Sequence, residues 1–121
     1  MAAGTNRTAL LHEFLRALDE VESASQALQE HLVVYRAELA RARAHLEGGG
    51  SVPELLAASP VTVERSAKEP VHRLELARVR GQQAMYRLAA ADGMNAAEIG
   101  RAWNVSRQLV SRVLNDAADG S

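Results

Sequence analysis

The N-terminal part of the chain carries apolar residues at alternating intervals of three and four, and this pattern limits the possible folds most. No Gly or Pro interrupts the segment from Thr8 to Leu46. The intervals correspond to the heptad period of a coiled coil. The pattern predicts a coiled-coil helix over residues 5–47. Its seam comprises Leu11, Phe14, Leu18, Val21, Ser25, Leu28, Leu32, Tyr35, Leu39, Ala42 and Leu46.

Composition supports a helical chain throughout. Ala and Leu supply most of the apolar residues and favour helix, whereas the chain has a single isoleucine and only 3% aromatic residues. An all-β fold is therefore excluded, and we expect an all-α protein.

The seam has two interpretations. It pairs with a second copy of the chain, or it packs on the chain's own helices, with a hairpin bend near residues 23–25 as a variant. We favour a homodimer, and the acidic character of residues 13–30 against the basic residues 36–43 favours antiparallel helices. The expected dimerisation residues are Leu11, Phe14, Leu18, Val21, Leu28, Leu32, Tyr35, Leu39 and Leu46.

A run of three glycines, Gly48–Gly50, marks the clearest boundary because such a run cannot sit inside a stable helix. We expect a linker over residues 48–65 that contains one short helix, with Ser51 as its cap and Pro53 in its first turn. Val61–Val63 has β character but no partner strand, so we expect an extended connector there.

A C-terminal domain is expected over residues 66–118. Ser66 and Glu69 have the spacing of a capping box, and Pro70 is tolerable near a helix start. The helix that begins there should run to about Ala91 and stop at Asp92–Gly93.

Charge is distributed unevenly along the chain, although the formal net charge is only −1. Residues 1–47 hold five arginines against seven acidic residues, whereas residues 71–112 hold seven arginines against three acidic residues. Such asymmetry indicates an acidic module followed by a basic one.

Residues 92–115 contain the most specific local pattern: two short helices, about 95–103 and 106–117, joined by a tight turn. Gly100 allows the helices to cross closely, and Asn104 tolerates the positive φ that the turn needs. Asn95 and Ser106 are suitable N-caps. The expected small core comprises Ile99, Trp103, Val105, Val110, Val113 and Leu114.

This arrangement resembles the helix-turn-helix of bacterial DNA-binding proteins, in the compact three-helix form of resolvase tails and sigma-factor region 4. The resemblance covers residues 73–117; Gly100 stands where Ala is usual, and Asn104 where Gly is usual. It implies that the second helix of the pair enters the major groove of double-stranded DNA. The implied base-contacting residues are Ser106, Arg107, Gln108, Ser111 and Arg112. Phosphate contacts are expected from Arg101, Asn95 and Arg87.

Other classes of function find little support in the sequence. There is no cysteine, and no two of the four histidines are three or four residues apart, so no metal or cofactor is expected. We see no nucleophile motif and expect no enzyme. No small-molecule effector site is evident, and neither a membrane span nor a secretory signal is expected. We therefore expect a cytoplasmic protein located at the nucleoid.

The function expected from these features is that of a sequence-specific, dimeric transcriptional regulator that binds an inverted-repeat site. Two alternatives remain open. One is a nucleoid-associated architectural protein with little sequence preference. The other is a coiled-coil adaptor that contacts RNA polymerase or a sigma factor.

Overall fold

The structure, a computed structural model, describes residues 2–58 and 61–119, with side-chain placement for residues 6–58 and 68–116. The described residues form helices and the turns between them, and this confirms the all-α class. The helices are α1 (Ala2–Glu47), α2 (Val52–Ala58), α3 (Val61–Ala91), α4 (Ala96–Trp103) and α5 (Arg107–Asp119). The long N-terminal helix is present and begins three residues before the expected start.

Two compact units share the two long helices. One unit combines Met1–Val21 with Ala77–Ser121, and the other is formed by Glu22–Leu76. The division predicted from the sequence, into residues 5–47, 48–65 and 66–118, follows chain order. The compact unit of Met1–Val21 and Ala77–Ser121 instead joins two segments that are distant in sequence.

Three helices end in the same hydrogen-bonded turn, in which one residue adopts a positive φ. That residue is Gly49 after α1 (φ 92°), Gly93 after α3 (φ 103°) and Asn104 after α4 (φ 54°). The residue that follows donates its N–H to a carbonyl five residues back, as in a Schellman motif. The bonds run from Gly50 to His45 (2.9 Å), from Met94 to Ala89 (3.0 Å) and from Val105 to Gly100 (2.9 Å). The helix ends expected at Gly48–Gly50 and Asp92–Gly93 are thereby confirmed.

The expectation of an extended connector at Val61–Val63 is wrong. These residues form the first turn of α3, which therefore begins five residues before Ser66 and contains Pro70 in its interior. An extended segment needs a partner strand for its backbone groups, and the helix supplies hydrogen bonds without one. A capping role of Ser66 falls outside the described side chains.

The short helix expected after the glycine run is present as α2. Ser51 caps it, since its hydroxyl accepts a hydrogen bond from the backbone N–H of Glu54 at 3.3 Å.

The first unit joins α1 to the C-terminal half of α3. Arg87 forms an ion pair with Glu13 at 3.0 Å, and Arg7 forms another with Asp92 at 2.6 Å. Gly81 lies against α1, where a Cβ built on it would contact Val21 at 3.7 Å. In this part of α1 the seam residue Val21 therefore lies against the chain's own α3, whereas the seam residue Leu18 is 44% exposed.

The Glu22–Leu76 unit buries one side of its part of α1. Ala24 is fully buried, and Arg73 donates to the Ser23 hydroxyl at 3.0 Å. The seam is divided by this packing: one of its two rows is half-buried and the other is largely exposed. The half-buried row comprises Leu28, Tyr35 and Ala42. The other row begins with the partly buried Ser25 and continues with the exposed Leu32, Leu39 and Leu46. In the part of the chain that the structure describes, no helix is long and apolar enough to span a membrane.

Candidate nucleic-acid interface

A small apolar core holds the end of α3 together with α4 and α5. Its buried members are Tyr86, Ile99, Val110 and Val113. Partly buried residues surround it: Ala89, Ala90, Met94, Ala96, Val105 and Leu114. The core fixes the position of α5 through the inward face of that helix and leaves its other face exposed.

Five of the six residues expected in this core lie there, and Trp103 is the exception. Trp103 is 44% exposed, because it is the last residue of α4, and its ring packs edge-on against Tyr86 with ring centroids 6.2 Å apart. Tyr86, its partner in this contact, is buried. Periodicity does not distinguish a residue at the end of an eight-residue helix from one inside the core.

The turn between α4 and α5 depends on Gly100 and Asn104. A Cβ built on Gly100 would lie 2.9 Å from the carbonyl oxygen of Val105 and 3.4 Å from the backbone nitrogen of Arg107. Asn104 adopts the left-handed conformation, which Asn tolerates better than most residues other than Gly. Both requirements expected from the sequence, close approach and positive φ, are present.

We expect the substitution Gly100→Ala to destabilise the unit, although Ala favours helix over Gly by about 1 kcal/mol. The added methyl group would contact backbone atoms, which cannot move aside as a side-chain end can. Overpacking of this kind costs about 1–3 kcal/mol. Urea unfolding of the two proteins, followed by Trp103 fluorescence, measures the difference. Exposed Ala102→Gly in the same helix is the control, and it should cost only the propensity difference. An increase in stability for Gly100→Ala would contradict the prediction.

Both helices of the pair begin with a side-chain cap. The Asn95 side-chain oxygen accepts from the N–H of Glu98 at 2.9 Å, while the Glu98 carboxylate accepts from the N–H of Asn95 at 3.0 Å. The Ser106 hydroxyl accepts from the N–H of Leu109 at 3.1 Å and caps α5. These bonds satisfy N–H groups that a helix start leaves open. The two starts expected from the sequence are confirmed.

The exposed face of α5 gathers most of the residues proposed to contact bases. Arg107, Gln108 and Arg112 are exposed and Ser111 is partly exposed. Together with Asn115 and Asp116 they line one shallow surface depression, as their spacing on a helix requires. Ser106 stands at the start of this face, and its hydroxyl acts as the α5 cap. The sequence analysis did not include Asn115 and Asp116, although both follow Ser111 and Arg112 by four residues.

The three proposed phosphate-contacting residues are in different environments. Arg101 is exposed, and neither it nor Arg107 and Arg112 has an ion-pair partner among the described residues. Arg87 is paired with Glu13 and only 23% of its side chain is exposed. The Asn95 side chain caps α4, and the Glu98 carboxylate adds negative charge at that helix start. The structure thus leaves Arg101 as the cation of this set that is open to a phosphate.

Two groups in this unit have displaced pKa values. Burial raises the pKa of the Tyr86 hydroxyl, and the nearby Arg78 guanidinium and Gln82 side chain oppose the shift. Its oxygen is buried without a hydrogen-bond partner among the described residues. The hydrogen bond from Arg7 lowers the pKa of Asp92 at the exposed end of α3. Neither group lies on the exposed face of α5, so neither gives that face a titratable site near neutral pH.

A small apolar groove borders α4, and sequence analysis did not identify it. Its volume is about 260 Å³, and its walls include the seam residues Phe14, Leu18 and Val21 together with Met85 and Trp103. Among the described residues, no group of three or more His, Asp or Glu side chains is placed to hold a metal ion. Comparison of the chain with protein families, with curated proteins and with solved structures finds no match.

Proposed function

We propose that this protein binds double-stranded DNA in a sequence-specific manner and acts as a dimeric transcriptional regulator, with α4 and α5 as a helix-turn-helix. The observation that carries the proposal is the composition of the exposed face of α5. Arg107, Gln108, Ser111 and Arg112 share that face, while Val110 and Val113 anchor the opposite face in the core.

The side chains on this face suit the edges of base pairs. The major groove is about 12 Å wide and accepts an α-helix with its side chains. An arginine there forms two hydrogen bonds with guanine, and a glutamine forms two with adenine. Because Arg107 and Arg112 have no ion-pair partner among the described residues, their guanidinium groups need not break a salt bridge before they bind DNA.

Contacts with phosphates would position α5 in the groove. Arg101, on α4, supplies an exposed guanidinium for this purpose. Arg87 can contribute only by leaving Glu13, so we assign it a smaller share. Asn95 can contact a phosphate only through its side-chain amide hydrogens, because its side-chain oxygen and backbone N–H both take part in the capping box.

A second candidate function is that of an adaptor that contacts a protein such as RNA polymerase or a sigma factor. Asp116 on the α5 face and the half-exposed Trp103 favour this candidate. A carboxylate repels phosphates, and tryptophan is enriched at protein interfaces.

Selection of bound sequences from a random pool of DNA duplexes tests the proposal. We expect enrichment of one motif, and affinity for it at least about 1,000-fold above that for random duplex at the same salt concentration. Binding without enrichment, with affinity that falls steeply as salt rises, would indicate an architectural protein instead. The absence of binding to any duplex at low salt would reject both kinds of DNA-binding protein and would favour the adaptor function.

A further inference from the structure

The part of α1 between Glu22 and Glu47 presents an apolar surface to solvent. Leu32, Leu39 and Leu46 are 44%, 53% and 44% exposed, and they follow one another at intervals of seven residues. Isolated exposed leucines are common, but a heptad row of them on one helix is typical of a helix–helix interface. We call these three leucines, with Arg36 and Arg43, the leucine face.

The chain's own packing uses a different side of this helix. Ala24 is fully buried, and Leu28, Tyr35 and Ala42 are half-buried. The Nε2 atom of His31, on the same side, is also buried. Because the Glu22–Leu76 unit is held through this side, the leucine face is not needed for its fold. The two interpretations of the seam are therefore compatible: the half-buried row packs within the chain, and the exposed row is available to a second copy.

Charged residues beside the leucine row change sign along the helix. The adjacent positions are Glu22, Gln29, Arg36 and Arg43, all of them exposed. These four positions all lie on one side of the leucine row. In a parallel pair the two copies of this side fall on opposite sides of the interface, so their charges do not meet. In an antiparallel pair the two copies fall on the same side, and the acidic end of one helix lies beside the basic end of the other. The charge pattern therefore favours the antiparallel pair.

We propose that the leucine face binds a second copy of this chain, antiparallel, with the two-fold axis at Leu32. This register places Leu32 against Leu32 of the second copy and Ser25 against its Leu39. Glu22 then lies one residue, about 1.5 Å along the axis, from the position level with Arg43 of the second copy. Gln29 is offset from Arg36 in the same way. The small Ser25 facing the larger Leu39 allows the helices to approach without a clash.

The interface supplies the dimer of the proposed function, but it is argued from α1 alone and does not require DNA binding. Should both hold, the two-fold axis gives an isologous dimer, and such a dimer requires an inverted-repeat DNA site. Oligomeric state is measured without DNA, so failure of the interface and failure of DNA binding are distinguishable.

Sedimentation equilibrium of the full chain tests the surface. We expect a dimer for the wild type and at least tenfold weaker association for Leu32→Glu, because two carboxylates would meet at the axis. Val34→Glu is the matched control, because Val34 is also apolar and exposed (52%). It lies two residues beyond Leu32 and therefore on another side of α1. A monomeric wild type, or equal association of the two variants, would overturn the proposal. Unchanged helical circular dichroism in both variants excludes unfolding as the cause.

Disulfide trapping tests the direction and register. The chain has no cysteine, so single introduced thiols give unambiguous products. When Ser25→Cys and Leu39→Cys proteins are mixed and oxidised, we expect the mixed covalent dimer to predominate, because the register brings these two positions together. Predominant formation of the two same-variant dimers instead would show a parallel pair and would overturn the antiparallel arrangement.

Discussion

Substitution of Arg107→Ala together with Gln108→Ala is expected to lower affinity for the selected DNA site by at least about 30-fold. Each contact of this type contributes about 1–3 kcal/mol of discrimination, and 1.4 kcal/mol corresponds to a factor of ten. Affinity for random duplex should fall much less, since only one charge is lost. Fluorescence anisotropy with the selected and random duplexes, at one salt concentration, measures both values.

A matched variant separates the α5 face from a general loss of charge. Arg80→Ala with Gln83→Ala removes the same two residue types from α3, where both line a groove against α1. We expect its preference for the selected duplex to be unchanged. The double variant in α5 should keep the wild-type unfolding midpoint because both side chains are exposed. Equal affinities of the double variant and the wild type for the selected duplex would refute the assignment of α5.

Local sequence signals predicted the C-terminal helix ends well. The Asn95–Glu98 capping box, the Ser106 cap and the positive φ of Asn104 all appear where the residue types indicated. Each depends on hydrogen bonds between residues at most five positions apart. Such interactions are set by the chain itself before any long-range contact forms. The exposed row Arg107, Gln108, Ser111 and Arg112 follows directly from these ends.

Features that depend on distant contacts were predicted less well. The seam residues of α1 are alike in type, so the sequence does not show which row packs on the chain and which stays exposed. Trp103 is apolar and correctly spaced for the core, yet it lies at the surface. The β-branched residues Val61 and Val63 disfavour helix only weakly, and their context in α3 outweighs that preference. For the seam rows and for Trp103, tertiary packing decides among arrangements of similar local energy.

Ile99→Ala is expected to give the largest loss of stability, about 2–5 kcal/mol. Ile99 is fully buried between α3, α4 and α5, and its truncation removes core contacts and leaves a cavity. The total free energy of unfolding of a typical domain is only about 5–15 kcal/mol, so the substitution removes a large part of it. Urea unfolding followed by Trp103 fluorescence measures the change, because the single tryptophan is in the same unit.

Two milder variants distinguish a specific cavity from general sensitivity of this core. Ile99→Val removes one methyl group and should cost about 0.5–1.5 kcal/mol. Tyr86→Phe removes a buried hydroxyl that has no partner among the described residues, so it should be neutral or stabilising. An Ile99→Ala protein as stable as the wild type would contradict the observed core.

The same substitution should also affect DNA binding, because the core holds α5 through the inward face of that helix. We expect Ile99→Ala to weaken binding to the selected duplex in proportion to the fraction of unfolded protein. The stability of the core and the affinity of the α5 face for DNA should therefore decrease together.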